Sequence, residues 1–210
     1  MSEVNLTNIA GSSIATPAAG ISATYFDVLD KALKRRNDVG FTNSYVNNVS
    51  VASQAPAAAT RTYITGSNFK VTSIKLQVGS TFRWTFNMTK TAAGIAASTF
   101  DICFGTAGTT ADTARISFTK PAGTAIADEG KVVIECTIRS IGATGVAVGE
   151  FSMIHNLSAT GHMIIPCAVV NTISAGFDMT VVGLNVGVCI TTGAGDAITI
   201  QQVISEAWDI

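Results

Sequence analysis

The sequence predicts an all-β protein: an antiparallel, jelly-roll-like β-sandwich preceded by a short N-terminal arm and a small β-ribbon unit. Three observations predict it. Apolar and polar residues alternate with period two through much of 60–210. Gly-rich turn material separates those runs at intervals of roughly 8–12 residues, the spacing of sandwich and barrel strands. No stretch of that region carries a convincing helical period. At 210 residues the chain can bury a core without metal or disulfide staples.

Residues 1–13 are small and polar, with Val4, Leu6 and Ile9 scattered among them. This composition suits an arm that is ordered only when a partner holds it. Within 14–50, Pro17 and Gly20 bracket a turn, and Ile21, Ala23, Tyr25 and Val28 suggest a strand. The chain turns at Leu29-Asp30-Lys31, returns through Leu33 to Arg36, turns again at Asn37 to Gly40, and adds a short strand around Phe41, Tyr45 and Val46. A ribbon of two or three strands is not stable alone, so 1–50 reads as an anchoring or trimerisation unit. Residues 51–59 are small, uncharged and broken by Pro56, and read as a linker.

The main domain is 60–210. Phe82, Trp84, Phe86 and Met88 share one face of a strand, with Arg83, Thr85 and Asn87 on the other. The same alternation marks Phe100 to Phe104, Ala114 to Phe118, Val132 to Arg139, Leu184 to Ile190 and Ile198 to Gln201. Alternating rather than uniformly apolar strands favour antiparallel pairing. Eight to ten strands in two sheets suit a jelly roll.

Charged residues are 13% of the chain, about half the usual share. Hydrophobic residues are 47% and mean hydropathy is +0.39. So few charges leave two options: a membrane, or a surface shared with other subunits. A spanning helix needs about 20 apolar residues, whereas the run Ile164 to Val170 is short and contains Pro166. Met1-Ser2-Glu3 opens a polar segment unlike a secretory leader. Assembly is therefore expected, with no membrane partner. The net charge of −1 gives no basic face for nucleic acid. The cluster Lys31, Lys34, Arg35 and Arg36 is interspersed with Asp27, Asp30 and Asp38, and reads as a solvated hairpin tip.

The cysteines Cys103, Cys136, Cys167 and Cys189 form no Cys-x-x-Cys pair and are expected as reduced core or subunit-contact residues. His155 and His162 flank the loop 156–161 with no carboxylate or cysteine close in sequence. A structural role is favoured over metal binding, with a ring of histidines on a trimer axis as the sharper alternative. Asp112, Asp128 and Glu129 read as turn-forming and solubilising residues, since no loop concentrates three carboxylates. Nucleophile elbow, P-loop, dinucleotide and zinc-protease signatures are absent from the sequence. No catalytic, cofactor or metal site is expected.

Phe104 to Ala114, with Pro121 to Gly130, Arg139 to Ala143 and His155 to Gly161, resembles an ordered series of segments in tailed-bacteriophage virion proteins. Thr16 to Gly20, Tyr25-Phe26-Asp27, Leu33-Lys34 and Asp38-Val39-Gly40 resemble a short β-module that precedes phage fibre and head-protein domains, often where trimers form. Here Arg35-Arg36 makes the return strand more basic than in the common version.

The resemblance implies a jelly-roll-like virion protein, commonly trimeric, located in the virion after assembly in the host bacterial cytoplasm. The favoured expectation is a homotrimeric capsid cement or decoration protein whose partners are its own copies and the major capsid protein or other virion proteins. The alternative is a head, neck or tail fibre component anchored through 1–50, for which 210 residues leave little shaft. A third reading is a carbohydrate-binding module on the same fold. The candidate assembly contacts are Leu6, Ile9, Tyr25, Phe26, Lys34, Arg35, Arg36, Tyr45 and Trp208.

Overall fold

The computed structural model describes residues 8–9, 15–20, 22–27, 32–36, 42–71, 76–93, 95–195 and 197–210. Leu6 and the turns expected at 29–31 and 37–40 lie outside the described residues, as do the side chains of Ile9 and Phe26.

Alternation is converted directly into sheet. The strands are β1 (Asn8–Ile9), β2 (Ala23–Asp27), β3 (Ala32–Arg36), β4 (Thr42–Ser50), β5 (Arg61–Tyr63), β6 (Phe69–Lys70), β7 (Thr81–Lys90), β8 (Ser98–Gly105), β9 (Thr113–Lys120), β10 (Asp128–Ser140), β11 (Val146–His155), β12 (Cys167–Ile173), β13 (Asn185–Thr191) and β14 (Ile198–Trp208). No helix occurs among the described residues. The chain is an all-β sandwich of two packed sheets. One has nine strands in the order β1-β2-β3-β4-β14-β7-β10-β11-β12. The other has five, β5-β13-β8-β9, with β6 also paired to β13. All pairings between the strands are antiparallel except β1 with β2.

In the larger sheet β7 pairs with β14, and in the smaller one β8 pairs with β13. β10, β11 and β12 continue the larger sheet beyond β7 as a meander, so the sandwich lacks the strand order of a jelly roll. The core lies between the sheets. Phe82, Trp84, Phe86 and Met88 point into it, as their alternation requires, against Phe100, Phe118, Phe151, Val188 and Ile190. The Trp84 indole N–H donates to the Ser67 carbonyl at 2.7 Å, which satisfies the one polar atom this ring brings inside.

One hydrogen-bonded sheet joins the 1–50 and 60–210 divisions. β4 pairs along β14 from Ser50↔Val203 to Tyr45↔Trp208. The segment expected as a linker is tied down: Gln54 exchanges backbone hydrogen bonds of 2.8 Å with Ile200, Ala59 N–H donates to Thr192 O, and Pro56 is buried. Apart from Pro56 and half-buried Gln54 the segment is exposed, so it runs over the surface as a strap pinned at these points.

Candidate functional site

The surface of one chain is unusual at β12. β12 is last in the nine-stranded sheet: it pairs with β11, and among the described residues no strand is hydrogen-bonded to its other edge, although β9 of the facing sheet lies near it. Edge strands are ordinarily guarded by charges, proline, bulges or covering loops. β12 reads Cys-Ala-Val-Val-Asn-Thr-Ile: it has no charge and no proline within it, and its outer face, Cys167, Val169, Asn171 and Ile173, is exposed throughout, while Ala168 and Thr172 on the inner face are half-buried and Ala168 packs against the core. Val169 is 63% exposed and Ile173 56%. Around them Ile154, Ile164, Ile165 and Val170 are also exposed. Ile154 stands directly opposite Cys167, which is a free, exposed thiol rather than a core residue like the buried Cys103, Cys136 and Cys189. An apolar group this concentrated marks a contact surface more often than bare solvent.

The candidate contacts from the sequence divide. Tyr25 and Lys34, cross-strand partners in β2 and β3, are both buried within the chain. Burial in the protomer removes them as surface contacts. Arg35 is exposed and donates to Ser22 Oγ, and Arg36 donates to Thr16 Oγ1. Tyr45 and Trp208 are brought together: they are cross-strand partners with ring centroids 5.8 Å apart. The Tyr45 hydroxyl donates to Glu206 at 3.0 Å. Tyr45 remains 48% exposed.

A second cluster was hidden from sequence because its members lie on different strands. Asp128 opens β10, His155 closes β11, and His162 lies in the loop before β12. The Asp128 carboxylate is 2.5 Å from His155 Nδ1 and accepts the backbone N–H groups of His162 and Glu129, each at 2.9 Å. His155 Nε2 meets the Ile165 carbonyl at 2.5 Å. With both nitrogens engaged, His155 presents neither to a substrate.

Burial would raise the Asp128 carboxyl pKa. The hydrogen bonds from His162 N–H, His155 and Glu129 N–H outweigh that and hold it below the usual value. The reading of Asp128 as a solubilising surface residue is therefore corrected: it is buried and organises two loops. Asp112 is also buried, and its carboxylate accepts the N–H groups of Ala107 and Gly108, which makes it the turn-former expected.

The His162 ring is fully enclosed, and neither of its nitrogens has a hydrogen-bond partner. Burial, then the Lys120 ammonium, push its pKa from 6.5 down to about 4. Both histidine side chains are enclosed within one chain, so neither can form a ring across a symmetry axis. Among the described residues, no group of three or more His, Cys, Asp or Glu is placed to hold a metal ion.

Beside His155 a cleft of about 530 Å³ opens on the outer face of the larger sheet, lined by Asn87, Thr89, Glu129, Lys131, Asn156 and Gln201 among others. On the other sheet, Arg61 clamps the β8–β9 loop. It donates to Asp101 at 3.2 Å, to the Thr110 and Asp112 carbonyls, and to Cys103 Sγ. The hydrogen bond between Cys103 and Cys189 is the largest influence on both thiols and sends Cys103 up and Cys189 down.

No protein-family model matches the chain, and no curated protein matches it.

Proposed function

We propose that this chain is a structural component of a bacteriophage virion, a homotrimeric cement protein that decorates the head. The observation that carries this reading is β12: an uncharged strand at the end of a nine-stranded sheet, whose outer face exposes Val169 and Ile173. A chain with 13% charged residues has little else with which to keep such an edge in water. The resemblance of Phe104 to Ala114, Pro121 to Gly130 and His155 to Gly161 to phage virion segments supports the particle as the setting. In this role the protein does no chemistry. It buries apolar area against sister copies and the shell, at about 25 cal/mol per Å², and repetition around the particle multiplies a modest contact into firm attachment.

The test is the oligomeric state of the purified full chain, measured by sedimentation at micromolar concentration, followed by its copy number on particles. A trimer present in hundreds of copies is expected. A stable monomer overturns the proposal, and a dozen copies per particle replaces cement with a fibre or neck part.

A further inference from the structure

We propose that Asp128, His155 and His162 form an acid-sensitive latch that holds segment 156–166, and with it the entry to β12, against the end of the sandwich.

The latch has one hub. Asp128 Oδ2 takes His155 Nδ1 on one side and the His162 backbone N–H on the other, so one carboxylate oxygen joins the two ends of the loop. His155 then reaches across to the Ile165 carbonyl and closes the same loop a second time. Between these points the loop is drawn in tightly. Gly161 has φ +88°, and a Cβ there would collide with the Asp128 carboxylate. Gly161 N–H donates to Thr124 Oγ1 at 2.7 Å, Thr124 N–H donates to the Gly161 carbonyl at 2.9 Å, and Lys120 Nζ donates to the His162 carbonyl at 2.8 Å.

The trigger is the His162 side chain. It sits fully enclosed with both ring nitrogens lacking a hydrogen-bond partner. The titratable groups that face it are Lys90 from β7, Lys120 from β9, Asp128 from β10 and His155 from β11. Among these only Asp128 is an anion, and its oxygens already accept three hydrogen bonds. A proton arriving on His162 therefore creates a buried cation beside lysine ammonium groups. The ring can be hydrated if 156–166 swings outward, so acid favours the open loop.

Neutral His162 in the closed loop and a freely titrating ring in the open one differ in proton affinity between 6.5 and about 4. Lowering the pH from 7 to 5 then shifts the closed–open equilibrium toward open by about twentyfold. Opening would move Ile164, Ile165 and the start of β12. A consequence for assembly rests on the cement reading, but the latch itself does not.

The test is amide hydrogen exchange on the full chain at pH 7 and pH 5, corrected for intrinsic rates. The expected result is that segment 156–166 opens more readily than β7 and β8, and that its protection falls about twentyfold at pH 5. The variant His162→Phe, which keeps a ring but cannot titrate, should lose that pH dependence. The latch is overturned if the segment is protected as strongly as β7 and β8 at both pH values. It is equally overturned if its protection is indifferent to pH, or if His162→Phe responds to acid as the parent does. Should His162→Phe fail to fold, Asp128→Asn decides: it should loosen the segment at pH 7, and unchanged protection overturns the latch. Sedimentation at the same two pH values reads assembly separately, so a monomer that still shows the exchange response refutes the cement reading and leaves the latch standing.

Discussion

Val169→Lys places a charge in the middle of the edge on which the proposed assembly depends. Val169 faces outward from β12, opposite Ser152, and is 63% exposed. Glu150 lies diagonally across on the same face, two residues along β11, and gives the new ammonium a neighbour in the free chain. The cost to folding should therefore stay within about 0.5 kcal/mol. The cost to association is larger. Fully burying a valine contributes about 1.5 kcal/mol, and nearly two thirds of the side chain is still available to a partner, so roughly 1 kcal/mol is lost. Carrying an ammonium out of water into that contact costs about 2 kcal/mol more. The sum, ~3 kcal/mol, weakens each contact more than a hundredfold. Sedimentation velocity over a concentration series reads this directly, with thermal melts as the check on folding. Val51→Lys, at a position 78% exposed and distant from β12 in the sheet order, is the control. If Val169→Lys assembles like the parent, or Val51→Lys dissociates as readily, β12 is not the contact.

Three further outcomes are expected. His162 titrates with its folded pKa below its unfolded one, so its contribution to stability is complete at neutral pH and is lost as pH falls from 6.5 toward 4. Between pH 7 and 5 this amounts to about 2 kcal/mol, read by urea unfolding, and a flat profile there contradicts it. Asp128, whose pKa is also lowered, adds stability above 3.8 that disappears as pH falls below it, so its loss appears in a separate and more acid window. Arg61→Ala should cost roughly 2 kcal/mol in the same assay, because it leaves the nearly buried Asp101 carboxylate with Ser117 Oγ, at 2.6 Å, as its remaining side-chain partner. Removing residues 1–41 should leave the sandwich melting within a few degrees of the parent, whereas removing 1–50 also strips β4 from β14 and should lower the melting temperature further; equal melting temperatures would refute the sheet continuity.

Alternation made the centre of the fold legible. β7, β8, β9, β10 and β13 stand where period-two runs stood, because each presents one face to the core. β14 was readable only in its first half. A bulge between Ile200 and Gln202 resets the phase, so Ile198 and Ile200 are followed inward by Val203, Ser205 and Ala207. β12 was opaque for another reason: its exposed outer face carries Val169 and Ile173 and its half-buried inner face Ala168 and Thr172, so hydrophobicity does not alternate. The apolar run leading into it is too short for a membrane span, and its place at the end of the sheet belongs to topology, which composition does not encode. The histidine cluster was beyond reach because Asp128 is 27 residues from His155 in sequence and meets it only through the β10–β11 hairpin. One cue was present: Gly161, beside His162, is a position where only glycine fits.

The placement of the lysines sharpens the argument from charge. The chain has 13 lysines and arginines, and Lys34, Lys90 and Lys120 are buried. Lys90 donates to the carbonyls of Thr91, Ala93, Thr124 and Ile126, and Lys120 to those of Pro121 and His162. These loops are built from Gly, Ala and Thr, whose small side chains offer few donors to buried carbonyls, so an ammonium group supplies them. Charge is thus spent on closing one end of the sandwich, in a protein already poor in it, while the seven residues of β12 have none. In a solitary soluble protein a single lysine on that strand would guard the edge at little cost to the fold. Its absence has a physical explanation if the edge is covered in the working state, and the same covering makes a lysine introduced there disruptive.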